Sequence, residues 1–208
     1  MDSFVNFFVA LFVVVDPVGL APLFAALTRG AAAEAQRRIA VKGVGLAAAI
    51  MLAFFFSGDI ILRALGISLA AFQMAGGVLL FLLAIDMVFA RQSGLRSTTE
   101  REQQEAVQRH DISVFPLAFP LIAGPGSLSA AVLVMGRTEN WIEGGSVLAM
   151  IMVCMLSTWL AMLAADRLVL LLGSTGADVV GRISGVLLAG LAVQFVFDGL
   201  AAAPFLAS

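Results

Sequence analysis

The stretch VVVDPVGLAP, residues 13–22, sets an aspartate and two prolines inside an apolar run that opens the chain. Its surroundings decide how it reads. Of 208 residues, 61% are hydrophobic and 12% charged, against roughly 45–50% and about 25% in soluble domains. Weakly charged apolar runs of about eighteen residues or more recur, long enough to cross a hydrocarbon core of roughly 30 Å. The chain reads as all-α and polytopic, with spans predicted over 3–28, 39–62, 67–90, 112–136, 145–172 and 178–202. These form one transmembrane domain over 1–208: a first half 1–90, a polar connector 91–111 and a second half 112–208.

Several function classes fall away. A net charge of -2 and no basic stripe argue against a nucleic-acid partner, and the lipid bilayer is the expected surrounding. The single cysteine, Cys154, makes no disulfide or thiolate metal site alone and reads as core packing. His110 falls in the charged connector, beside Arg109 and Asp111. No Lys or Arg precedes Arg29, so the first span lacks the basic start of a signal peptide and is expected to be retained.

Positive residues orient the spans. With the N-terminus outside, one side receives ten Lys and Arg residues, including Arg29, Arg37, Arg38, Lys42, Arg167, Arg182 and four of the connector. The other side receives Arg63 and Arg137 alone. The bias places the connector in the cytoplasm and both termini on the other side of the membrane.

The prolines reveal an internal repeat. Five of the six lie in spans one and four. At a spacing of 108 residues, Asp16-Pro17-Val18-Gly19 aligns with Gly124-Pro125-Gly126-Ser127, and Gly77-Val78-Leu79-Leu80 with Gly185-Val186-Leu187-Leu188. Each half holds three spans, an odd number, so the second half enters the membrane inverted. Six spans in a 3+3 inverted repeat, with spans one and four discontinuous, are the expected architecture. Matched interruptions of this kind point to a binding site at the bilayer midplane.

The interruptions have a defined chemistry. Proline costs a helix nothing at its first position, so Asp16-Pro17 reads as an N-cap opening a new half-helix. Gly124-Pro125 reads likewise, with glycines permitting unwound backbone. Each half-helix then offers free amides and a dipole end of about half an elementary charge. The second break has no carboxylate of its own and suits a substrate carboxylate. Asp16 suits an ammonium group, or a coupling sodium ion or proton. The expected binding residues are therefore Asp16, Pro17, Gly19, Gly124, Pro125, Gly126 and Ser127. Gln73 and Gln194 interrupt apolar runs and are secondary candidates, with interhelical hydrogen bonding as their simpler role.

At DPVGLAP and AGPGS, with FQMAGGVLLFLLAIDM between them, the chain closely resembles the MarC family of bacterial inner-membrane proteins along essentially its whole length. The resemblance implies a six-span inverted repeat, related to SnatA-type transporters of glycine and alanine and more distantly to the LysE exporters. The family's first motif falls on Asp16, Pro17 and Gly19, its second on Gly124, Pro125, Gly126 and Ser127.

The expected function is secondary transport of a small zwitterion such as glycine or alanine by alternating access, with no cofactor beyond the coupling ion. An exporter or channel for another small solute or drug is the alternative. An intramembrane aspartyl protease would need Asp86 and Asp198 to meet, and the chain carries no GxGD sequence; no enzyme is expected. Substrate identity, transport direction and oligomeric state, a homo-oligomer included, stay open.

Overall fold

A computed structural model describes residues 2–89, 112–135, 138 and 140–203. The connector 91–111, with His110, lies outside the described residues, as do Arg137 and Pro204. Among the described residues, eight helical elements follow one another: α1 (Asp2–Val15), α2 (Pro17–Leu27), α3 (Ala33–Ala64), α4 (Leu69–Phe89), α5 (Ser113–Ile122), α6 (Pro125–Met135), α7 (Trp141–Leu163) and α8 (Ala165–Ala201). No strand occurs among the described residues. Five stretches of the described residues are long and apolar enough to cross a membrane, and α5 with α6 makes a sixth if that bent pair counts as one span. Large apolar side chains such as Phe56 and Ile60 of α3 face outward, 61% and 68% exposed. A bilayer removes the penalty that water would impose on such a surface.

Several span boundaries differ from expectation. The second helix begins at Ala33 rather than 39, because Glu34, Arg37, Arg38 and Lys42 continue the helix beyond the apolar stretch. Its 32 residues rise about 48 Å at 1.5 Å each, well over the hydrocarbon thickness. The fifth span ends at Leu163, not at 172: Ala164 closes α7 and residues 165–172 open α8. α8 then turns at Gly173 (φ 64°, ψ 176°), a conformation open to glycine, and its crossing stretch is Val179–Ala201.

The 108-residue spacing recurs in element boundaries. α2 and α6 each have 11 residues and start at Pro17 and Pro125. α3 and α7 start at Ala33 and Trp141, and Leu65, which closes α3, has Gly173 as its counterpart. Packing follows the same exchange: α6 lies on α3 and α4, α2 on α7 and α8. α4 and α8 form the most extensive helix pair and run antiparallel, with Gly77 against Phe195 and Val196, and Gly185 against Met87 and Val88. A Cβ on Gly77 would stand 2.7 Å from the Ala192 carbonyl oxygen and 2.9 Å from Val196 Cγ2. Only a glycine admits that approach.

The burial pattern makes α6 the centre of the molecule. Every residue from Gly126 to Leu133 is buried, because α1, α3 and α4 surround it.

Candidate functional site

Both breaks fall where Asp-Pro and Gly-Pro stand in the sequence, but they are built differently. Asp16 is the only non-glycine residue with positive φ among those described (φ 50°, ψ 64°). Left-handed backbone costs an L-residue roughly 1–2 kcal/mol, and aspartate tolerates it by bonding locally. Here the Gly19 amide donates to Asp16 Oδ1 at 3.0 Å. The main-chain ladder continues on both sides: the Asp16 amide donates to the Phe12 carbonyl and the Leu20 amide to the Asp16 carbonyl, both at 2.9 Å. The break is thereby bridged, and α1 and α2 read as one crossing stretch, Phe7–Leu27. Asp16 is 6% exposed.

The second break stays open. Pro116 and Pro120 force Phe115 (φ -131°, ψ 127°) and Phe119 (φ -135°, ψ 129°) into extended backbone, the conformation a following proline demands. The α5 bonds widen in consequence, Ala123 donating to Ala118 at 2.9 Å, five residues back. Beyond the bend the Leu128 amide reaches the Gly124 carbonyl at 3.0 Å, as Leu20 reaches Asp16 at the first break. α5 and α6 meet at 57°.

Between those two bonds two helix ends meet. The amides of Gly126 and Ser127 belong to the first turn of α6 and the carbonyls of Pro120 and Leu121 to the last turn of α5, positions that have no partner within their own helix. Four such groups within eight residues form a polar spot in apolar surroundings. The Ser127 hydroxyl is fully buried and lies 2.9 Å from the Ile122 carbonyl and 3.0 Å from that of Gly124. It thereby braces the bend.

A cavity of about 40 Å³ opens on this junction. One wall is Gly124, Pro125, Gly126 and Ser127; the other is Leu79, Leu80 and Leu83 of α4, with Val14 of α1 at the side. At about 10–15 Å³ per water, it holds about three, the scale of a solute with few heavy atoms.

The structure therefore gathers the second motif into one cavity and leaves the first outside it. Asp16, Pro17 and Gly19 form the cap of α2, and Val14 is the cavity's contribution from that break. Gln73 is buried at 4% on the inner stripe of α4, three residues before Gly76, which backs onto Ser129. Gln194 lies on the exposed face of α8, where its Nε2 donates to Asp198 Oδ1 at 2.7 Å; it is not part of the cavity. Neither Asp86 nor Asp198 approaches the other. Gly199 packs on Met74, twelve residues before Asp86, which is about 18 Å along a helix axis. The three α4 leucines had no distinguishing signal within LLFLLA.

A family model described as MarC family integral membrane protein matches residues 1–203. Among curated proteins, a UPF0056 membrane protein of Methanocaldococcus jannaschii is 34% identical over 200 residues, covering 96% of this chain and 97% of its own. One from Aquifex aeolicus is 36% identical, with 95% and 92% coverage. UPF0056 membrane protein YhcE of Escherichia coli is 33% identical over 195 residues, with 94% and 90% coverage. No solved structure matches. The chain belongs to the MarC family of integral membrane proteins.

Proposed function

We propose that this MarC-family protein is a secondary transporter of small neutral amino acids, of glycine or alanine size, working by alternating access in the bacterial inner membrane. One observation carries the reading: the first amides of α6, on Gly126 and Ser127, and the last carbonyls of α5, on Pro120 and Leu121, belong to residues that line a single cavity at the bend between the two helices. Amides at a helix N-terminus suit a carboxylate, and freed carbonyls suit an ammonium group. A zwitterion satisfies both, while the leucine wall leaves space for little else.

The 108-residue spacing supports two halves that move against each other. Reciprocal packing of antiparallel α4 and α8 fits halves related by an axis in the membrane plane, the arrangement of inverted-repeat transporters. Asp16, a buried acidic residue at the first break, is the candidate for a coupling sodium ion or proton. The basic cluster Arg29, Arg37, Arg38 and Lys42 marks the cytoplasmic side, and both termini lie on the other.

Uptake of labelled glycine or alanine into proteoliposomes tests the reading. Saturable uptake above that of empty vesicles is expected, together with competition between the two. Absence of binding and flux for every small neutral amino acid overturns it.

A further inference from the structure

We propose that Leu80 sets the upper size limit of the solute, a deepening that rests on the transport reading above. Three leucines wall the cavity opposite the junction, and they differ in freedom. Leu79 is 38% exposed and Leu83 half-buried, so either side chain can swing outward to make room. Leu80 is 2% exposed and cannot.

Its position is fixed by two close helix approaches. A Cβ built on Gly126 would stand 3.0 Å from Leu80 Cδ1 and closer still to its Cγ and Cδ2, so the leucine already occupies the space a side chain would take. One turn away, a Cβ on Gly76 would stand 2.6 Å from the Ser129 Cβ. α4 and α6 are thus held close by small residues at two successive turns, one of them at the cavity. Leu80 can neither retreat with its helix nor rotate away. If the solute's charged ends are taken by the Gly126 and Ser127 amides and the Pro120 and Leu121 carbonyls, its side chain is left facing this leucine.

The test is a selectivity ratio, uptake kcat/KM for valine over that for glycine, in proteoliposomes. Wild-type protein is expected to favour glycine by tenfold or more. In Leu80→Ala the valine-to-glycine ratio is expected to rise at least tenfold, within the range of about 10–200-fold known for one methylene in an apolar pocket. Leu80→Phe is expected to lower the alanine-to-glycine ratio. Leu187→Ala, on the exposed face of α8, is the control and keeps wild-type values. Leu80→Val supplies a milder enlargement should Leu80→Ala fail to fold.

An unchanged ratio in a folded Leu80 variant overturns the inference, as does wild-type protein that takes valine as readily as glycine. Should wild-type protein move no amino acid, the transport reading fails, and the size limit is read separately by thermal shift with acetate, propionate and valerate. Longer chains stabilising Leu80→Ala but not wild type sustain the limit; identical responses overturn it.

Discussion

The Asp16 carboxylate accepts the Gly19 amide at 3.0 Å, so the residue that interrupts the first span also starts its second half. Asparagine caps helices as well as aspartate does and tolerates the left-handed backbone. Asp16→Asn therefore keeps the cap and changes only the charge. The expected outcome is a melting temperature equal to wild type, with ion-gradient-driven amino-acid uptake at least tenfold lower. Uptake equal to wild type at every sodium and proton gradient would show that the carboxylate serves its own helix alone. Asp16→Ala, by contrast, loses the cap and is expected to cost about 1 kcal/mol of stability.

The same contact makes Gly19 a sensitive position. A Cβ there would lie 2.7 Å from the Asp16 carboxyl carbon, and the carboxylate cannot move without releasing the amide. Gly19→Ala is expected to destabilise by about 1–3 kcal/mol, the usual cost of overpacking. Thermal unfolding of the detergent-solubilised protein measures it. In the double variant Gly19→Ala, Asp16→Ala the added cost should shrink, because the group that clashes is gone.

Glycines that are only conformationally free behave in the opposite way. A Cβ on Gly190 of α8 meets nothing within 4 Å, so Gly190→Ala is expected to be neutral or to stabilise by up to about 1 kcal/mol through helix propensity. Gly77→Ala, facing the Ala192 carbonyl oxygen at 2.7 Å, is expected to destabilise. The two unfolding temperatures, compared in one detergent, should fall on opposite sides of wild type or leave Gly77→Ala alone below it. Equal effects at both positions would mean that α4 and α8 are not held by this approach.

The two breaks were legible in the sequence because proline and glycine act through local sterics, which do not depend on the rest of the fold. How each one bends was not: behind Pro116 and Pro120 the α5 bonds widen to five residues and α5 meets α6 at 57°, while Asp16 keeps a four-residue bond to Phe12. The early start of α3 at Ala33 was hidden because hydropathy marks the part of a helix inside lipid, not the part beyond it. Ala164 gave no warning of the turn that closes α7, since alanine favours helix and neighbouring packing overrides that preference. Gln194 looked equivalent to Gln73 as an amide in an apolar run. Only the direction each faces on its helix separates them, outward for Gln194 and inward for Gln73.

That separation is testable. Gln194→Leu changes a residue on the outer face of α8 and is expected to leave glycine uptake within about twofold of wild type. Gln73→Leu replaces a buried amide near the Gly76–Ser129 contact and is expected to lower either stability or uptake. Uptake that collapses in folded Gln194→Leu would place the solute path along α8 rather than at the bend between α5 and α6.

Ser127 gives the sharpest test of that bend. Its hydroxyl lies within hydrogen-bond reach of the carbonyls of Ile122 and Gly124, on either side of the turn. Ser127→Ala removes that brace and takes the hydroxyl donor from the Ile122 carbonyl, while Gly124 keeps the Leu128 amide, a loss of roughly 1–3 kcal/mol. If the junction binds solute through the Gly126 and Ser127 amides, loosening the bend misplaces them, and the loss appears mainly in KM. Ser127→Thr retains the hydroxyl and should recover affinity to the extent that its extra methyl fits beside the fully buried site. A Ser127→Ala protein that melts earlier yet keeps wild-type KM would separate the brace from the binding site.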